Sequence, residues 1–348
     1  MTGRNTHTIS WTGGIKSRPF VALLLIIGGL IFLVFCLALS ISVGAADIGL
    51  SAVWKAVFHF DPQVTQDQII HDLRMPRALT SALVGAAFAV AGALMQGMTR
   101  NALADPGLLG INAGAVFLLA ICFAFFPGLS FWGLVIASFA GACLGAGLVY
   151  GIGSMAKGGA TAARLTLAGA AVGALLVALS QGVAFYFGLS QDLAFWLVGS
   201  VSNTTWLQVQ VLFPVIAVGL LGALLLSRSV TLISLGEEVA ISLGQRVRLV
   251  KLLGMLLVLV LAGASVSTVG PIAFVGLVVP HVARYFVGVD YRWIVPCSAV
   301  FGALLMVLSD LGARMIHPPY ETPIGAVIAL IGVPFFLCLT RKEGGAWL

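Results

Sequence analysis

Ten apolar runs, most of them long enough to cross a lipid bilayer, follow one another along this chain with only short polar breaks. They fall at roughly 19–43, 76–98, 108–127, 131–151, 164–188, 206–227, 249–269, 272–287, 293–311 and 323–340. A helical span of the ~30 Å hydrocarbon layer takes about 20 residues. A helix also satisfies its own backbone polar groups, which lipid cannot do. The pattern predicts an all-α polytopic membrane protein of about ten transmembrane helices. Charge agrees: only 9% of the 348 residues are Asp, Glu, Lys or Arg, against about 25% in a soluble domain. Ten spans use the whole length, so 1–348 reads as one transmembrane domain with a short cytoplasmic tail at 1–18. The run at 272–287 is short and carries Pro280, which predicts a broken or tilted helix.

Lys16 and Arg18 precede the first run, and Ser42 to Ala46 offers the small residues of a cleavage site. A secretory apolar core is about 7–15 residues; this run is longer and reads as a retained first span. Threaded through ten spans, 14 of the 18 Lys and Arg residues fall on one side, with Lys55, Arg74, Arg77 and Arg314 on the other. Basic residues gather on the cytoplasmic side, so both termini are expected there. The basic residues stand singly rather than in a patch, which argues against nucleic acid as a partner. Cys36, Cys122, Cys143, Cys297 and Cys338 lie inside apolar runs without metal-ligand spacing, so no metal, disulfide or other cofactor is expected. Glycines four residues apart (Gly141 and Gly145, Gly147 and Gly151, Gly169 and Gly173) suit close helix packing.

Three segments are more than spans. After the sixth run, Ser234 and Glu237 have capping-box spacing, and Gly244 can supply a left-handed stop. Between them a short helix at about 235–243, with Val239, Ala240 and Leu243 as its apolar stripe, suits either a partner's groove or the lipid interface. Between the second and third runs, Asp105 followed by Pro106 is a helix start. On the outer side, Arg74, Arg77 and Arg314 are candidates for meeting an acidic partner or lipid phosphates.

With these residues in view, the chain closely resembles the FecCD family of permeases. The matching stretches run in order: Arg74-Met-Pro-Arg77, Ala91 to Gly97, Asn101 to Gly110, Leu167 to Ala170, Trp196 to Ser200, Leu235 to Gly244, Phe274 to Arg284, Glu321 to Gly325 and Gly332 to Phe336. Ala102 and Pro271 depart from the family pattern. The resemblance implies the membrane subunit of a type II ABC importer for ferric siderophores, with vitamin B12 or haem as alternatives, and a fold of ten helices in the cell membrane. It implies three kinds of protein partner: cytoplasmic ATPase subunits, an extracytoplasmic substrate-binding protein, and a second permease subunit, identical or not. Glu237, Glu238, Ala240, Leu243 and Gly244 would carry the contact of a coupling helix with the ATPase. Arg74, Arg77 and Arg314 would dock the binding protein. Asn101 and Leu103, with Thr161, Ala162 and Ala163, would close the inner end of the path. The outer helix at 192–205, with Phe195, Trp196, Gly199 and Ser200, would gate the outer end. His281 and Arg284 match the family signature and read as a packed ring and a snorkelling cation.

The chain has no Gly-x-x-x-x-Gly-Lys-Ser/Thr phosphate loop, so ATP hydrolysis is expected on a partner and no catalytic residue here. An ion-coupled secondary transporter would need mid-membrane carboxylates; Asp310 is the nearest, close to a span end. An intramembrane enzyme would need a nucleophile and base, or His-Glu-x-x-His, and neither pattern is present.

Overall fold

The computed structural model describes residues 17–43, 49–155, 162–316, 320 and 322–344. Among them, seven helices are long and apolar enough to cross a membrane, and three shorter apolar helices accompany them. The ten are α1 (Pro19–Ser42), α4 (Met75–Thr99), α5 (Ile111–Phe125), α6 (Phe131–Met155), α7 (Ala162–Tyr186), α9 (Trp206–Leu235), α11 (Val247–Val269), α12 (Val275–Val287), α13 (Tyr291–Ile316) and α14 (Ile324–Gly344). Each coincides with one apolar run of the sequence. The chain is a multi-pass membrane protein, and an even number of crossings returns both ends to one side.

Helix α4 is the axis of the bundle, packed by α13, α9, α11 and α12. Its sequence explains its place: Ala86, Ala87, Ala89, Ala91, Gly92 and Ala93 make it narrow enough to be surrounded. Where neighbours cross it, two glycines meet. A Cβ on Gly85 would lie 2.2 Å from the Gly302 carbonyl oxygen, and one on Gly92 would lie 1.9 Å from that of Gly276. In lipid, helices associate through such close packing rather than through hydrophobicity. Gly141 and Gly145 of α6 serve the same purpose against Gly114 and Gly110, whereas Gly147 and Gly151 have open space around them.

The short run at 272–287 is indeed a broken element. Residues 270–274 are not helical, Phe274 takes a left-handed φ of 68°, and α12 begins only at Val275. Pro280 lies inside α12, so the carbonyl of Gly276 loses the N–H it would otherwise accept. The buried Gln96 of α4 replaces it, its Nε2 donating to Gly276 O and Leu277 O at 3.2 Å each.

Two elements lie outside the spans. The stretch before α4 is helical. Helix α2 (Leu50–Phe58) is followed by α3 (Thr65–Gln68), a π-helical turn at Ile69–Arg74 and then α4, so residues 65–99 form one continuous helical rod. At the other face, α9 runs on to Leu235, about 45 Å in all. Ser234 is therefore inside a helix, where its hydroxyl donates back to Thr231 O at 2.7 Å. The capping box expected at Ser234 and Glu237 does not form.

Candidate functional site

At the end of α9, Gly236 takes a φ of 142° and turns the chain into α10 (Glu237–Ser242). Gly244, at φ 79°, ends it as expected: the Gly244 N–H donates to Ile241 O and that of Gln245 to Ala240 O, both at 2.9 Å, the paired bonds of a Schellman stop. The helix is fixed from below. Ala240 is fully buried in a cluster with Ile233, Val247 and Val250, so it anchors α10 to its own chain and does not present itself to a partner, which corrects its assignment as a contact residue. Glu237 forms an ion pair with Lys251 of α11 (Val247–Val269) and remains partly exposed. Facing outward are Glu238, Val239, Ile241, Leu243 and Gly244. Ile241 and Leu243 are each 61% exposed. Ile241 was missed because a helical stripe drawn through Val239, Ala240 and Leu243 leaves it out.

Beside this element, the turn between α12 and α13 carries Asp290, 6% exposed. Burial alone would raise its carboxyl, but hydrogen bonds from Arg292 (Nη2 to Oδ2, 2.7 Å) and the charge of that guanidinium hold it below the ordinary carboxylate range. Arg284 does not snorkel: its Nη2 donates to the hydroxyl of buried Tyr291 at 2.7 Å. The His281 ring packs edge-on against Phe335.

On the outer face, the three arginines expected to point at a binding protein are turned inward. Arg74 and Arg77 belong to the continuous rod at 65–99 rather than to a loop, and they meet Arg314 of α13 at the C-terminal end of α1. There, Arg74 Nη1 donates to Ile41 O (2.7 Å) and Ser42 O (2.8 Å), while Arg314 Nη1 donates to Ser40 O (3.0 Å) and Val43 O (3.1 Å). These are the carbonyls that a helix end leaves without partners, at the negative pole of its dipole. Arg77 and Arg314 also share Asp310, which is 1% exposed. These side chains cap α1 and bind α4 to α13.

At the inner end, Arg100 takes a left-handed φ of 54°, and Asn101 Oδ1 accepts the Leu103 N–H at 2.9 Å, closing a tight turn. Asp105 caps as expected, accepting from Gly107 N at 2.7 Å, but it caps a 3-10 turn at Pro106–Leu109 and not the span itself. Asn101 and Ala104 border a void of about 20 Å³ with Leu165 and Thr166 of α7. Thr161 lies outside the described residues; Ala162 and Ala163 form the first turn of α7.

At the outer end, α8 spans Ser190–Leu197, shorter than the 192–205 expected, and Phe195 and Trp196 lie in its last turn. Residues after it are held by close backbone contacts. Ser200 N donates to Val269 O at 2.9 Å, and a Cβ on Gly270 would lie 2.5 Å from Trp196 O. Gly199 is buried at φ 70°, and Ser200 is exposed with its hydroxyl 2.6 Å from that of Ser202. A cavity of about 600 Å³ opens behind α8, bordered by Phe126, Phe131, Trp196, Asp192 and Gln208.

Comparison with known proteins places these features. A profile described as the FecCD transport family matches residues 30–342. The chain is 53% identical to the iron(3+)-hydroxamate import system permease protein FhuB of Bacillus subtilis, over 97% of this chain and 87% of that one. It is 41% identical to the ferric enterobactin transport system permease protein FepD of Escherichia coli, covering 92% and 96%, and 36% identical to the hemin transport system permease protein HmuU of Yersinia pestis, also covering 92% and 96%. Among solved structures, an inward-facing metal-chelate type ABC transporter superposes with a TM-score of 0.81 at 29% identity, over 93% of this chain and all of that one.

Proposed function

The chain belongs to the FecCD transport family, and from that premise we propose that it is the membrane-spanning permease of an ATP-binding cassette importer for ferric siderophores. The observation that carries this reading is α10: a short helix fixed on its inner side by Ala240 and presenting Glu238, Val239, Ile241 and Leu243 outward beyond the end of a span. Such an element gives a soluble ATPase a rigid handle on the bundle. Closure of two ATPase subunits would move α10, and through α9 the helices that line the path, switching its open side; cargo released by a binding protein then passes inward. The relative at 53% identity handles iron(3+)-hydroxamate, which favours a hydroxamate chelate as cargo. The hemin permease among the relatives supports haem as the second candidate.

The ion-coupled alternative loses its best residue. Asp310 would have to exchange a proton or cation, yet it is buried and shared by Arg77 and Arg314. The basic residues Arg74, Arg77 and Arg314 at this end of the bundle are proposed as the place where an acidic surface of the binding protein docks. The inner segments around Asn101 and Ala162 and the outer helix α8 are proposed as the two gates.

The test is uptake of radiolabelled iron by an iron-starved deletion strain offered a panel of ferric siderophores, haem and labelled corrinoid. Loss of one ferric chelate, restored by the intact gene, is expected. Loss of haem or corrinoid uptake alone would change the cargo, and uptake that survives ATP depletion but collapses with an uncoupler would refute the ATP-driven reading.

A further inference from the structure

Near the foot of the bundle, the turn between α12 and α13 is fastened to the last turns of α9 by side chains that the proposed ATPase contact does not use. Thr231 stands one helical turn before the end of α9, and α10 follows after Gly236. Its hydroxyl accepts the backbone N–H of Tyr291 at 2.9 Å. Its own proton has two acceptors in reach, Ser227 O at 2.9 Å and Asp290 Oδ1 at 3.4 Å. Asp290 in turn accepts the Arg292 backbone N–H at 3.0 Å, so the carboxylate starts α13 while it reaches toward α9.

Tyr291 makes this turn a junction. Its side chain is 2% exposed. Gly97 of α4 leaves room for the ring, for a Cβ there would lie 2.7 Å from Tyr291 Cζ and 2.5 Å from Val230 Cγ1. The Tyr291 hydroxyl accepts from Arg284 of α12. At the last residue of α12, Val287 O accepts the Arg18 N–H just before α1 begins. Residues Val287 to Tyr291, which join α12 to α13, therefore carry contacts from α1, α4 and α9 as well.

Helix α9 packs directly against α4 and α13, and near its inner end Thr231 adds a hydrogen-bonded fastening to the α12–α13 turn. We propose that Thr231 and Asp290 are positioning residues of energy coupling: they lock the end of α9 to the α12–α13 turn as one body, so that movement of α10 reaches α13 and α4. The inference rests on α10 being the ATPase contact, and it adds the route by which that contact acts.

The readout is the number of chelates imported per ATP hydrolysed, measured in proteoliposomes holding the permease with its ATPase and binding protein and given a radiolabelled ferric hydroxamate. A residue needed only for folding lowers the amount of assembled complex, which scales import and hydrolysis together and leaves their ratio unchanged. Thr231→Val and Asp290→Asn are expected to lower the ratio at least about fivefold, the smaller end of ordinary site-to-site coupling. Thr231→Ser keeps the hydroxyl and is expected to retain the wild-type ratio. An unchanged ratio in Thr231→Val or Asp290→Asn, whichever assembles, overturns the proposal, as does a Thr231→Ser ratio as low as that of Thr231→Val. Wild-type complex that hydrolyses no ATP and imports nothing would instead refute the importer reading beneath it.

Discussion

Arg77 and Asp310, 233 residues apart in the chain, close an ion pair between α4 and α13, with Nε and Nη2 at 3.0 and 2.9 Å from Oδ1. Arg314 reaches the other oxygen at 3.2 Å. The carboxylate is thus the counter-charge for two guanidinium groups, one of which, that of Arg314, also holds the end of α1, and neither helix can leave the other without exposing a charge.

Removing that carboxylate takes away the charge that Arg77 and Arg314 share. Asp310→Asn is expected to destabilise the permease by about 3–5 kcal/mol, the usual cost of breaking one partner out of a buried pair. Thermal unfolding of the purified protein in detergent measures it. Arg77→Lys keeps the charge and loses the fork, and its midpoint should fall between the wild type and Asp310→Asn. Equal midpoints for all three would show that the pair carries no stability.

Gln96 is useful only because Pro280 is present. Gln96→Leu leaves the buried Gly276 carbonyl without a donor, at a cost of about 1–3 kcal/mol. Pro280→Ala restores a backbone N–H at the position that could serve the same carbonyl. In a double-mutant cycle, Gln96→Leu should therefore cost less in the Pro280→Ala background than in the wild type. Additive losses would mean that the two residues act independently.

Glycines within the spans are not equivalent. Gly92→Ala would bring a methyl within 2.4 Å of three backbone atoms of Gly276, so α12 must move. Its yield of monodisperse protein in size-exclusion chromatography should collapse. Gly147→Ala meets nothing within 4 Å and should leave the profile of the wild type. A well-behaved Gly92→Ala protein would contradict the α4–α12 crossing.

The two sides of α10 should separate docking from folding. Ile241→Glu and Leu243→Glu alter exposed residues and are expected to weaken ATPase association at least about tenfold while the unfolding midpoint stays put. Ala240→Leu overfills a sealed position and should lower stability by about 1–3 kcal/mol. Pull-down with the ATPase subunit and thermal unfolding together decide. Undiminished association of the Glu variants would send α10 back to the lipid interface.

Asp290 also sets a pH dependence. Its folded-state pKa lies below the ordinary value, so its contribution to stability is complete above the unfolded value of about 3.9 and is lost as pH falls through the folded one. The stability difference between wild type and Asp290→Asn should hold level from pH 7 to pH 5 and shrink only in stronger acid. A difference that vanishes near pH 6 would show that the carboxylate is not held in its charged form.

The apolar helices of the bundle and the existence of α10 could be read from the sequence because each depends on neighbours close in the chain. Lipid demands long apolar helices, and Gly244 ends a helix through its own backbone. Asp105 with Pro106 capped a turn for the same local reason. Only the tertiary structure decided what the polar side chains do. Arg74, Arg77 and Arg314 read as outward charges until α1 and Asp310 arrive beside them, and Ala240 reads as a contact until Ile233, Val247 and Val250 close over it. Ser234 fits a capping box by spacing, yet α9 continues past it because Gly236, two residues later, is the residue free to turn. Gln96 acquires its role from a proline on another helix. A charge or an amide takes its energy from whatever lies within a few ångströms, and for these residues that neighbourhood is built from segments up to 274 positions away.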